Sequence, residues 1–111
     1  MTQALHFAAL SFVDFSRTIS TLEARLGLEV LERDDEVAWA YVTATLPDGT
    51  QINLTKTDKT TEIVTWLPGA PGNVNWQIIF SGDELSGSGV SAALLVMEDA
   101  LGVRPEQYHP G

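Results

Sequence analysis

From Ala4 to Phe12 the chain reads ALHFAALSF, apolar apart from His6 and Ser11, and such a run predicts a buried strand. The period then changes. Phe15, Ile19, Leu22 and Leu26 follow at spacings of four, three and four, which puts them on one face of a helix. Asp14 or Ser16 can cap its start, because either side chain offers an oxygen to the unpaired amides of the first turn. Gly27 stands where a closing residue in the left-handed conformation belongs, with Leu28 behind it for hydrophobic closure, so EVLER begins a return strand. Asp34-Asp35-Glu36 reads as a solvated connection, since three adjacent carboxylates cannot share a buried face. Residues 37–46 then alternate. Val37, Trp39, Tyr41, Thr43 and Thr45 fall on one side, and Ala38, Ala40, Val42, Ala44 and Leu46 on the other. The small-residue side lets a helix or a second sheet approach closely, which leaves Trp39 and Tyr41 on the opposite face.

Leu46-Pro47-Asp48-Gly49-Thr50 predicts a hairpin turn, and Gln51–Lys56 its return strand, with Ile52 and Leu54 facing away from Gln51, Asn53 and Thr55. TDKTT at 57–61 is polar and turn-like, EIVTWL at 62–67 reads as a short strand, and PGAPGN at 68–73 as a loop. VNWQIIF at 74–80 is a further strand and SGDELSGSG a second loop. From about Ser91 to Leu101, Ala93, Leu94, Met97 and Leu101 recur at helical spacing, with Met97 as core filler and Gly102-Val103 closing the helix. The tail VRPEQYHPG reads as extended chain lying across the surface. Strand, Asp14, helix and Leu-Gly in the first half have a faint echo in strand, Asp83, helix and Leu-Gly in the second, at different spacing. The predicted class is α+β, one domain over 1–111. It is built as an antiparallel or mixed β-sheet with two helices on one face, in the order β-α-β-β-β-β-β-α.

The chain has 111 residues, 44% of them hydrophobic and 19% charged, the balance of a globular domain with a core of its own. It has no cysteine, which excludes a disulfide framework or thiolate metal site. No apolar run approaches the roughly 18 residues of a membrane span, and the first residues lack a basic leader, so a cytoplasmic protein is expected. Fifteen acidic against six basic residues give a formal charge of −9. Such a surface repels nucleic acid and anionic lipid and speeds encounter with a basic partner, although solubility alone accounts for it equally well.

The run from His6 to Asp14, Leu26-Gly27-Leu28-Glu29-Val30 after the helix, and Leu46-Pro47-Asp48-Gly49 before the next strand resemble a βαβββ module. This is the repeating unit of the vicinal oxygen chelate superfamily, which includes glyoxalase and bleomycin-resistance proteins. The resemblance covers residues 6–56, about half the chain. In that superfamily's enzymes a histidine or similar residue on the first strand and a glutamate after the Pro-Asp-Gly turn ligate a divalent metal. His6 matches the first position, but Asn53, a neutral and weaker ligand, holds the second, and Thr21-Leu22 replaces the usual aromatic pair on the helix. Two complete modules close the cleft in that superfamily, and the second half of this chain offers at most a strand and a helix, so a homodimer would have to complete it.

No other constellation points to catalysis. His6 lies in an apolar strand, where a packed, hydrogen-bonded role outweighs that of ligand or base, and His109 lies in the tail. GDELSGSG lacks the lysine of a phosphate loop, Ser81, Ser86, Ser88 and Ser91 are turn and cap residues, and Glu98 and Asp99 diverge on their helix. Binding residues are better represented. Trp76 belongs in the core, and Trp66 lies in the short strand 62–67. Trp39 and Tyr41 on the face opposite the alanines, with Glu29, Glu32, Asp34, Asp35 and Glu36 around them, suit a basic protein surface unless the second half of the chain covers them. The expected function is a small, acidic, non-enzymatic binding protein without catalytic residues, metal or cofactor. It would block a basic protein partner as an immunity or inhibitor protein does when it neutralises a toxin, for example a nuclease. The alternatives are a chelate-superfamily-like protein that binds a small ligand, as a monomer or a dimer, with or without a divalent metal, and an interaction domain with no inhibitory role.

Overall fold

The apolar run at the start of the chain forms β1 (Gln3–Ala9), and the helical repeat after it forms α1 (Phe15–Leu26). Asp14 is the cap: its Oδ1 accepts from the Arg17 amide at 2.9 Å. Gly27 closes the helix at φ 67°, its amide donating to Glu23 O at 3.1 Å. β2 (Glu29–Asp35), β3 (Trp39–Thr45) and β4 (Gln51–Thr57) follow, then β5 (Trp76–Gly82), α2 (Gly87–Leu101) and β6 (Glu106–Tyr108). The computed structural model describes residues 2–35, 39–57, 69, 74–85 and 87–110. Its sheet runs in the order β2-β3-β4-β5-β1-β6, and every neighbouring pair is antiparallel. The class is α+β, and the sheet is antiparallel with no parallel pair among the described strands.

Each strand alternates, so one sheet face is lined by Phe7, Ala9, Ala40, Val42, Ala44, Ile52, Leu54, Trp76, Ile78 and Phe80, all buried. Against it pack Phe15, Ile19 and Leu22 of α1 and Val90, Ala93, Met97 and Leu101 of α2, placing both helices on that face in one core. The Phe15 ring stacks on Trp76 with centroids 5.6 Å apart. Lys56 continues the inward register of Ile52 and Leu54 and is 2% exposed. Its ammonium stays solvated by protein groups, donating to Val13 O at 2.7 Å and lying 5.6 Å from the Trp76 ring centre.

Several sequence-based boundaries move, each for a physical reason. The first strand ends at Ala9 and not at Phe12, because Asn75 and Trp76 capture the backbone that follows. Asn75 Oδ1 accepts from Ser11 N, Asn75 Nδ2 and Trp76 Nε1 donate to Ser11 O, and Ser11 Oγ donates to Leu101 O. Asp34 and Asp35 are strand residues, not a connection, since alternation sends their side chains to opposite faces of an edge strand. α2 begins about one turn before Ser91, drawing Gly87-Ser88-Gly89 out of the expected loop. The tail does not merely lie across the surface: Glu106–Tyr108 pairs with β1 and becomes the outer strand. The strand expected at 62–67, with Trp66, and nearly all of the loop at 68–73 lie outside the described residues.

Candidate functional site

The face turned away from the helices is ordered by the same registers that build the core. One row across it reads Glu32, Thr43, Asn53, Ile79, His6, Tyr108, and the next reads Asp34, Tyr41, Thr55, Gln77, Ala8, Glu106. It is acidic at the β2 end and carries Ile79, His6, Ala8 and Tyr108 towards the other end, where Glu106 ends the second row.

At the β2 end, Trp39 and Tyr41 stack, ring centres 5.4 Å apart and planes 17° from parallel. Two residues apart on one strand, they share a face, and Trp39 remains 42% exposed. Tyr41 donates its hydroxyl to Glu32 Oε1 at 2.7 Å. That hydrogen bond, with lesser help from burial and from the charges of Glu32 and Asp34, raises the Tyr41 pKa above its ordinary value. Glu32 and Asp34 pair across to Thr43 and Tyr41, and Glu29 to Thr45, so all three belong to this face. Glu29 and Glu32 are exposed and Asp34 half-buried.

The remaining expected binding residues do not join them. Asp35 belongs to the helix-side register, where both its oxygens accept from Arg33 at 3.1 and 3.0 Å. Arg33 also donates to Ser16 Oγ at 2.7 Å and lies over the Phe15 ring, so this pair fastens β2 to the start of α1. Glu36 lies outside the described residues. Among the described strands β2 is an outer edge of the sheet, bulged between Val30 and Glu32, and Leu31 at the bulge is 57% exposed. Charge and a bulge are the features that keep an edge strand from recruiting another strand.

At the other end, His6 and Tyr108 are cross-strand neighbours with ring centres 5.7 Å apart. Tyr108 packs with Ala8 and Val74, and its hydroxyl and the His6 Nδ1 are both buried without a hydrogen-bond partner. Burial raises the Tyr108 pKa. His6 is thus packed as a strand histidine should be, but Nδ1 lacks the expected hydrogen bond. Asn53 is on the same face, separated from His6 by Ile79 and therefore two strand spacings away, roughly 10 Å along the sheet. Its Oδ1 accepts from Thr43 Oγ1 at 2.9 Å. Among the described residues no group of three or more His, Asp or Glu is placed to hold a metal ion. Asp99 is tied to Arg25 of α1 at 2.8 Å, apart from Glu98, and His109 is exposed. No described helix is long and apolar enough to cross a membrane.

Sequence reasoning missed the division of the acidic run between two faces. The strict alternation of the facing strand 39–45 was the signal for it, since an antiparallel neighbour inherits that alternation. Comparison with family models, curated proteins and solved structures finds no match to this chain.

Proposed function

We propose that the chain is a non-enzymatic binding protein that takes a basic protein partner on the β2 end of its open sheet face. The observation supporting this most is the Trp39–Tyr41 stack, Trp39 exposed, with Glu29, Glu32 and Asp34 on the same face of the neighbouring strand, an edge among the described strands. A flat aromatic pair supplies contact area at low entropic cost, and the carboxylates around it complement lysine and arginine. The formal charge of −9 steers a cationic partner towards it. The finer reading is an immunity or inhibitor protein acting in the cytoplasm, blocking a toxin domain whose own phosphate-binding site is positively charged.

The test is co-expression with the products of neighbouring genes, followed by binding kinetics on any complex. Trp39→Ala is expected to cost about 2 kcal/mol or more of affinity. Asp34→Lys should slow association and flatten its salt dependence more than Asp83→Lys, which changes net charge equally on the β5–α2 loop. Equal effects of the two lysine variants, or an indifferent Trp39→Ala, would sink the assignment.

A second reading, a small-ligand binder of the chelate-superfamily kind, draws on the unpartnered His6 Nδ1 and Tyr108 hydroxyl on one face. Metal titration of wild type against His6→Ala separates it from the first: no metal-dependent change in either rejects it.

A further inference from the structure

α2 is apolar over more of its circumference than one buried face needs. From Gly87 to Met97 it carries no charged residue. Val90, Ala93, Met97 and Leu101 are its buried residues, Leu94 and Val96 pack partly against the same core, and α1 lies beside it, yet Ala92 is exposed and Leu95 is 67% exposed. The sheet and α1 leave this part of an apolar helix surface uncovered.

Beside it opens a groove of about 830 Å³, between α2 and the β1–β6 edge that the two helices leave uncovered. Leu5 and Phe7 of β1 and Leu94 of α2 give it apolar walls, Leu95 stands at its helix side, and Glu98 and Arg104 line it together with Glu106 of β6. Neither Glu98 nor Arg104 takes part in an ion pair or side-chain hydrogen bond among the described residues, whose ion pairs are Arg25–Asp99 and Arg33–Asp35.

We propose that this groove receives a second copy of the chain in a two-fold dimer, Leu95 of each copy entering the groove of the other and Glu98 facing the other's Arg104. A two-fold contact must be self-complementary: whatever projects has to find its socket, and each charge its opposite, within the same patch. An exposed leucine beside an apolar groove, with the unpaired Glu98 and Arg104 as its opposite charges, meets that requirement; the second acid of the lining, Glu106, is in register with Ala8 and so turns its side chain to the other sheet face. Electrostatics select the same face. Two chains of formal charge −9 repel, so they can meet only where charge is sparse, and the β2 end with Glu29, Glu32 and Asp34 is the wrong place. Edge-to-edge pairing is also disfavoured, because β2 is bulged and acidic and β6 has three residues. The dimer does not depend on the proposed partner site, since β2 and β6 are at opposite ends of the sheet.

Sedimentation equilibrium of the full chain, with circular dichroism to confirm folding, tests this. Wild type is expected to sediment as a concentration-dependent dimer, and Leu95→Glu as a monomer of unchanged secondary structure. Glu98→Arg and Arg104→Glu should each weaken dimerisation by about tenfold or more, and the double swap should restore it. A wild type that stays monomeric at every concentration, or a Leu95→Glu variant that dimerises as tightly as wild type, overturns the dimer. A double swap no tighter than the single variants overturns the two-fold register.

Discussion

A phenol hydroxyl shut away from water with no partner costs about 1–3 kcal/mol, the hydration it has lost. Tyr108 is in that position, its ring packed on Ala8 and Val74 and its oxygen unbonded. Tyr108→Phe keeps the ring and deletes the orphan, so it is expected to be neutral or more stable by up to that amount, read from urea midpoints. The alkaline limb gives a second check. Burial raises the Tyr108 pKa above its ordinary value of 10.0, so the folded state holds this proton more tightly than the unfolded state. The corresponding stability is complete below that pH and is lost as pH rises through the folded value. Wild type should therefore lose stability above about pH 10, and Tyr108→Phe should lose it less steeply; identical slopes would refute the burial argument. Tyr41, raised chiefly by its bond to Glu32, leaves a shallow slope in both proteins. At this scale the sequence was readable for residues whose register and chemistry agree. Trp76 and Met97 are buried as their strand and helix positions predict. Lys56 was legible in register but not in fate, because a lysine closing an alternating strand reads as the strand's arrival at water. Here Val13 O and the Trp76 ring hold it inside.

Elements were legible where punctuation and period coincide. α1 has both: Asp14 at one end, Gly27 at the other, and a single apolar stripe between. Gly27 does double duty, adopting φ 67° and passing close to the turn after β3, where an added Cβ would lie 3.2 Å from Pro47 Cγ. Gly102 closes α2 at φ 74° with nothing within 4 Å. The left-handed conformation alone costs an L-residue about 1–2 kcal/mol. Gly102→Ala should lose that much and Gly27→Ala clearly more, with m-values unchanged in both; equal losses would show that Pro47 yields freely. The last two residues of β2, the start of α2 and β6 were not legible, because their causes lie elsewhere in the chain. An acidic edge strand is held by Arg33–Asp35 and by the ladder to β3, and a three-residue strand carries too short a pattern to read without its partner β1. The candidate site inherits this division. Trp39, Tyr41 and their common face follow from alternation, whereas the separation of Asp35 from Asp34 needed the pairing register.

For the whole molecule, class and helix-covered face were readable, but strand order was not. Residues 6–56 look self-contained in sequence, yet β5 stands between β4 and β1, and the sheet partners of β1 are β5 and β6. No local pattern announces which strand will receive β1, since every inward-facing strand here offers a similar apolar row. A chain ending at Thr57 should therefore show no cooperative unfolding transition, by circular dichroism in urea, whereas a compact two-state fragment would mean that β1 has found another seat. The same insertion imposes an order of events during synthesis. Ala9 leaves the ribosome early but cannot be sealed into the sheet until Trp76 has emerged, and translation at about 5–20 residues per second makes that wait several seconds. From the emergence of Thr57 onwards, the apolar face of β1 and the core sides of β3 and β4 are present without the strand that joins them. Slow codons between Thr57 and Trp76 would prolong that exposure.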